Sequence, residues 1–197
     1  MRSNMPNRET LTQDFERFLG CLVAATAQIA DEYILLPIDG APLPIYRERV
    51  YCYELYHQLR VQMGDNFGYS LGGEVDKRAH PIMGGRDITN VKPDLLVHRP
   101  GDMGGNLTVI EVKPVNANRR DIQKDLRTLT AFRQRGRYHR AIYLIYGPDE
   151  NKFHMIKTTA LELQREDTEG RVNLELITLL WHPMAGVPAI SMEWEAS

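Results

Sequence analysis

Residues 93–113 read PDLLVHRPGDMGGNLTVIEVK, two short apolar runs separated by a turn that is rich in glycine and proline. The first run is Asp94–His98 and the second is Leu107–Lys113. Runs of this length, rich in leucine, valine and isoleucine and bounded by glycine and proline, are typical of β-strands. The stretch therefore predicts two neighbouring strands of a hairpin or meander.

The second run carries two charged side chains, Glu111 and Lys113, in an otherwise apolar segment. Side chains two residues apart on a strand point to the same face, so these two should project together. If the two strands pair in register, Asp94 meets them at the edge of the sheet. Burying two charges costs on the order of several kcal/mol unless they are compensated. A plain Glu–Lys ion pair is one form of compensation, and a bound metal ion is another.

Two carboxylates aimed at one point, here from Asp94 and Glu111, repel each other unless a positive charge lies between them. Mg²⁺ suits that position because it binds one or two carboxylates together with water and phosphate oxygens. Such an ion polarises a phosphoryl group and lowers the pKa of a bound water. The backbone carbonyl of Val112 is a candidate for a further ligand, and Lys113 could orient or help deprotonate the attacking water. This set predicts hydrolysis of a phosphodiester.

The flanking sequence predicts helices and strands on both sides of this stretch. Helices are expected, from apolar residues at helical spacing, at Glu9–Tyr33, Ile45–Met63, Asn118–Gln134 and Lys152–Glu166. Further strands are expected at Tyr69–Arg78, Ala141–Tyr146 and Val172–Trp181, and Leu36–Pro44 is expected to be a loop. This order predicts an α/β fold in which a mixed sheet is covered by helices on both faces.

Pro93-Asp94 followed by Glu111-Val112-Lys113, in the order helix, three strands, helix, strand, resembles the PD-(D/E)XK nuclease superfamily. The resemblance covers about residues 45–146 and implies a restriction-endonuclease-like core of order α-β-β-β-α-β. Residues 1–197 then form one domain, with residues 1–35 as an N-terminal helical extension and an added C-terminal helix and strand. The resemblance implies Asp94 and Glu111 as metal ligands, Lys113 as the catalytic lysine, and Mg²⁺ or Mn²⁺ as the cofactor.

Many members of this superfamily add a further carboxylate to the metal site. On the first core helix the best match is Glu54, and on the first predicted strand it is Glu74, with Asp76 ranked below it. On a helical wheel Glu54 lies nearly opposite the main apolar stripe, so exposure to water is the alternative for this residue. The superfamily includes enzymes of DNA restriction, repair and phage defence, and the pattern here does not choose among them.

The segment from Lys113 to Arg140 contains nine of the 24 basic residues of the chain and two acids, Asp121 and Asp125. The cations expected to contact nucleic acid are Arg119, Arg120, Lys124 and Arg127 on the helix after the third strand. Such contacts to phosphates give affinity without base specificity. The alternative is ordinary pairing with the two acids at helical spacing.

Composition narrows the class of protein. Cys21 and Cys52 are too few for a disulfide framework or a cysteine-rich zinc site. The stretch Leu19–Ala30 is too short to cross a bilayer, and Met1–Glu9 lacks the apolar core of a signal peptide. We therefore expect a cytoplasmic protein with no membrane partner.

These observations predict a metal-dependent nuclease, a deoxyribonuclease by the prevalence of DNA cleavage in the superfamily. Nucleic acid is the expected partner, DNA before RNA. A chain of 197 residues leaves little room for a separate recognition domain, so a homodimer or a targeting protein could direct it. The alternative is a nuclease-like fold that binds nucleic acid or a partner protein without cutting.

Overall fold

A computed structural model of the protein describes residues 8–73 and 92–195. The expected strand Tyr69–Arg78 is described only in its first part, and Glu74 and Asp76 lie outside the described residues. The helices are α1 Arg8–Thr26, α2 Asp31–Ile34, α3 Glu48–Met63, α4 Arg119–Gln134 and α5 Glu150–Glu166. The strands are β1 Ser70–Gly73, β2 Leu95–His98, β3 Asn106–Pro114, β4 Arg140–Tyr146, β5 Ile177–His182 and β6 Ile190–Met192. Short 3₁₀ turns occur at Met103–Gly105 and Leu174–Leu176.

The described strands form one six-stranded mixed sheet in the order β1-β2-β3-β4-β5-β6. The first three strands pair antiparallel, β3 pairs parallel with β4, and β4 pairs parallel with β5. The last strand, β6, returns antiparallel to β5. Two parallel pairs require crossover connections, which α4 and α5 supply. The predicted α/β class with a mixed sheet is therefore confirmed.

Alternation along β3 divides the core into two layers. Ile110 and Val112 pack on the face covered by α1 and α3, together with Phe18, Leu22, Tyr51 and Leu55. Val109 packs on the opposite face with the apolar residues of α4 and α5. The sheet is thus buried on both sides, which explains why its central strands are almost continuously apolar.

The single long helix predicted over Glu9–Tyr33 is wrong, because α1 ends at Thr26 and a separate short helix follows. The Thr26 hydroxyl donates back to the Val23 carbonyl at 2.8 Å and accepts a hydrogen bond from the Ala189 backbone N–H, also at 2.8 Å. This side chain therefore ends the helix and ties it to the C-terminal part of the chain.

The C-terminal region also differs from its prediction. Residues Leu174–Leu176 form a 3₁₀ turn where a strand was expected to start, and β5 begins only at Ile177. The strand β6 was not predicted, since its three residues are exposed or half-buried and show no apolar pattern. Among the described residues, no helix is long and apolar enough to cross a membrane.

Candidate active site

The end of β3 places Glu111 and Lys113 on one face of the sheet. Both side chains point to the same face as Val109, which lies two and four residues earlier on the strand and packs toward α4 and α5. Asp94 lies just before β2 and two residues before Leu96, so it points to the same face as Leu96, which packs in the same layer as Val109. The three side chains predicted to act together are therefore on the same side of the sheet.

Asp94 is attached to β3 by its side chain. Its Oδ2 atom accepts a hydrogen bond of 2.8 Å from the backbone N–H of Val112. Burial raises the pKa of Asp94, the Val112 N–H partly offsets this, and Glu48 raises it further. The Asp94 carboxyl group is also close enough to that of Glu111 for charge and hydrogen bonding to couple the two.

The backbone of Val112 lies at the point where the ladder between β2 and β3 ends. Val115 N donates to the Tyr146 carbonyl on β4, so alternation directs the backbone groups of Val112 toward β2. The last described pair of that ladder is Leu95↔Ile110, and the Val112 N–H donates to the Asp94 side chain, so the regular ladder ends before Val112. Pro93, which precedes Asp94, has no N–H with which to extend the ladder. A carbonyl oxygen without a ladder donor is a candidate ligand for a hard cation.

Lys113 lies between two carboxylates from different helices. Its Nζ atom is 2.7 Å from Glu48 Oε2 on α3 and 3.4 Å from Asp125 Oδ2 on α4. Burial alone would lower the pKa of Lys113, but Asp125 and Glu48 outweigh it and hold the pKa above its ordinary value. The side chain is therefore a fixed ammonium group at neutral pH.

The carboxyl groups around Lys113 outnumber it. Glu111 is 4% exposed, and burial together with the charges of Asp94 and Asp125 raises its pKa well above the ordinary value. Burial raises the pKa of Asp125 to about 7, although Lys113 opposes the shift. Both carboxylate oxygens of Asp125 lack a hydrogen-bond partner among the described residues, because the contact with Lys113 is long. This cluster would be stabilised by protons or by an added cation.

The groups available as ligands fit an ion such as Mg²⁺, which takes only a few of its ligands from the protein. No group of three or more histidine, cysteine, aspartate or glutamate side chains among the described residues is arranged to hold a metal. Two carboxylates, from Asp94 and Glu111, and the Val112 carbonyl remain. Mg²⁺ is commonly held by one or two carboxylates and completes its shell with water and phosphate oxygens.

The carboxylate that α3 brings to Lys113 is Glu48 and not Glu54. Glu54 accepts a hydrogen bond of 2.6 Å from Gln58 on its own helix. It lies six residues beyond Glu48, so the two side chains point about a third of a turn apart around the helix. A role for Glu54 at the metal therefore stays a prediction, and the other proposed carboxylate, Glu74, is outside the described residues.

A pocket of about 520 Å³ gives access to Asp94. The pocket is lined by α3, by the end of β1 and by the start of β2. The lining residues are Glu48, Arg49, Cys52, Tyr53, Tyr56, Gly73, Asp94 and Leu95. Glu48, Cys52 and Tyr56 are spaced by four residues and so share this face. The carboxyl group of Asp94 can therefore be reached by a ligand.

Two residues of the site escaped sequence reasoning. Glu48 precedes the apolar pattern of its helix, and nothing in its surroundings marks it. Asp125 carried a signal, because it stands among Ile122, Leu126 and Leu129 in the buried stripe of α4. A carboxylate in such a stripe needs a partner, and that partner is Lys113.

The four predicted phosphate-binding cations have different surroundings. Arg119 is paired with Glu162 and Glu166 of α5, at 2.7 Å each. Arg120, Lys124 and Arg127 line a groove along the outer side of α4.

Comparison of the chain with protein-family models, with curated proteins and with solved structures found no match.

Proposed function

We propose that this chain is a metal-dependent nuclease of the PD-(D/E)XK type that hydrolyses phosphodiester bonds, in DNA before RNA. The observation that carries the proposal is the convergence of Asp94, Glu111 and Lys113 on one face at the end of β3. The order of elements supports it, since α3, β1, β2, β3, α4 and β4 follow as α-β-β-β-α-β with one parallel pair.

The proposed ligands for Mg²⁺ or Mn²⁺ are the carboxylates of Asp94 and Glu111 and the Val112 carbonyl. When bound, such an ion polarises the phosphoryl group and lowers the pKa of a bound water. The chain itself supplies orientation and charge. Asp94 is fixed against β3 by its bond to the Val112 N–H, so its second oxygen keeps a constant direction.

Lys113 acts in this proposal as a cation rather than as a base. Glu48 and Asp125 hold it protonated, so it has no free lone pair to accept a proton from water. An ammonium group at this position donates hydrogen bonds to the attacking water or to a non-bridging phosphate oxygen. It thereby stabilises the negative charge that develops in the transition state.

The test is cleavage of circular plasmid, linear DNA and RNA by the purified chain with Mg²⁺ or Mn²⁺ and with a chelator. Asp94→Asn keeps an oxygen that can accept from Val112 but loses the charge, and we expect it to abolish cleavage. Lys113→Met should lower the rate by about 10²-fold or more, because a fixed positive charge is lost. Glu54→Gln, on the same helix as Glu48 but hydrogen-bonded to Gln58, is the control and should cleave like the wild type.

Circular dichroism and thermal unfolding establish that each variant is folded. Full cleavage by folded Asp94→Asn or Lys113→Met would refute the assignment. A folded wild-type chain that binds DNA but leaves every substrate intact with both metals would support the non-catalytic alternative instead.

A further inference from the structure

The outer side of α4 carries a groove of about 690 Å³, which we call the basic groove. Its charged lining residues are Arg120, Lys124 and Arg127 on the helix, Arg135 just after it, and Glu169 and Arg171 on the segment that follows α5. Arg171 is compensated by Glu169 at 3.2 Å and by Asp167 at 3.5 Å. Among the described residues, the excess positive charge of the groove therefore comes from the cations on α4 itself.

The described part of the chain shows no acidic partner for the helix cations of the groove. Among the described residues, Arg120, Lys124 and Arg127 take part in no ion pair, unlike their neighbour Arg119. They are spaced by four and three residues, so they lie on one side of the helix and repel each other. Buried Arg127 Nε also lacks an acceptor in the described part of the chain. An unpaired row with an unsatisfied donor is suited to an external anion.

The basic groove and the proposed active site, formed by Asp94, Glu111 and Lys113, lie on two sides of the same helix, α4. Asp125 points inward to Lys113, whereas its neighbour Lys124 points into the groove. Arg120 stands in the first turn of α4, the end of the helix that follows β3 and Lys113. From Arg120 to Arg127 the helix rises by about 10 Å, so this row of cations is long enough to contact more than one phosphate of a strand.

We propose that the basic groove holds the phosphate backbone of a polynucleotide that extends several nucleotides from the scissile bond. This inference rests on the proposed nuclease function and specifies its substrate as a polynucleotide rather than a small phosphodiester. The groove offers cations and a few polar side chains along a helix side, so it contacts the backbone without reading base sequence.

The binding experiment uses Asp94→Asn chain, which cannot cut, and a fluorescent 20-nucleotide DNA duplex of arbitrary sequence at several salt concentrations. Arg120→Gln/Lys124→Gln changes two exposed groove cations and should raise Kd by about tenfold or more. It should also lower the slope of log K against log salt by about two, one for each lost phosphate contact. Adding Arg127→Gln should enlarge both effects.

The matched control is Lys152→Gln/Arg165→Gln, which also removes two exposed cations, both on α5 and outside the groove. Its Kd and salt slope should stay within about twofold of the parent, as expected for a small change in net charge. Equal losses in control and groove variants would overturn the proposal. Unchanged binding in the groove variants, or tighter binding of polyglutamate than of DNA, would also overturn it.

Cleavage assays separate this proposal from the proposed function. In chains with intact Asp94, the groove variants should cut DNA with a raised KM and hydrolyse bis(4-nitrophenyl) phosphate at the wild-type rate. If the wild type cuts nothing while Asp94→Asn binds DNA through the groove, the nuclease proposal fails and the groove stands. If the groove variants cut and bind DNA normally, the nuclease proposal stands and the groove proposal fails.

Discussion

Asp125 is a carboxylate in surroundings that suit an apolar side chain. It is 1% exposed, makes one long contact with Lys113, and lies in the apolar stripe of α4. Burial raises its pKa to about 7, from a model-compound value of 3.8. Between these two pH values the folded chain holds a proton that the unfolded chain has released, so the free energy of unfolding falls as pH rises through that window.

The variant Asp125→Asn removes this titration. We expect its free energy of unfolding to fall less than that of the wild type between pH 5 and 8, by on the order of 1–3 kcal/mol. Part of the dependence should remain, because Glu111 and Asp94 also have raised pKa values. Urea unfolding at four pH values in chelator measures the effect. Asp121→Asn, one turn earlier on the helix, is the control, and identical pH slopes in wild type and Asp125→Asn would contradict the expectation.

For single residues, the sequence predicted which side chains lie together only where the secondary structure has a strict repeat. Glu111 and Lys113 were placed together by the two-residue period of a strand, which admits two faces only. The helical candidate Glu54 could not be placed in this way, because a helix offers many directions and the apolar stripe of α3 does not identify which polar flank meets β3. The partnership of Glu48 with Lys113 depends on the tertiary position of α3, which periodicity does not contain.

Among the elements, the buried strands were predicted most closely. β2, β3 and β4 begin and end within one residue of expectation, because apolar runs between glycine and proline mark both ends. The start of α3 was predicted three residues early, since Ile45 pairs with Leu36 across an isolated bridge instead of joining the helix. Helix ends set by tertiary contacts, such as Thr26 with Ala189, left no local signal.

The C-terminal end of β4 depends on Gly147. Its φ is +123°, and a Cβ atom there would lie 2.8 Å from Val115 Cγ2 and 2.9 Å from the Tyr46 hydroxyl. Gly147→Ala should therefore lower the free energy of unfolding by about 1–3 kcal/mol, from backbone strain and the clash. Chemical denaturation measures it. Exposed Gly20 in α1 has open space, so Gly20→Ala should instead stabilise the chain by about 0.5–1 kcal/mol. Equal effects of the two substitutions would contradict this account.

For the whole molecule, the carboxyl cluster means that folding brings together charges that the unfolded chain keeps apart. The ionised forms of Asp94, Glu111 and Asp125 are each disfavoured in the folded state, first by burial and then by the charge of at least one neighbouring carboxylate. This cost grows with pH once the unfolded chain has released its three protons, so it is larger at pH 8 than at pH 5. The fold is thus less stable at high pH than it would be with a cation bound at the cluster.

A divalent cation that binds only the folded chain should reverse this cost. At pH 8, Mg²⁺ or Mn²⁺ at 100 times its Kd adds about 2.7 kcal/mol to the free energy of unfolding, which corresponds to a rise in Tm of about 5–10 °C for a domain of this size. Asp94→Asn and Glu111→Gln should each lose most of that gain, while Glu54→Gln keeps it. Scanning calorimetry against KCl of equal ionic strength measures the shift without any substrate. The same gain in all four proteins would place the ion elsewhere, and no gain in the wild type at 10 mM would remove the metal from the proposed chemistry.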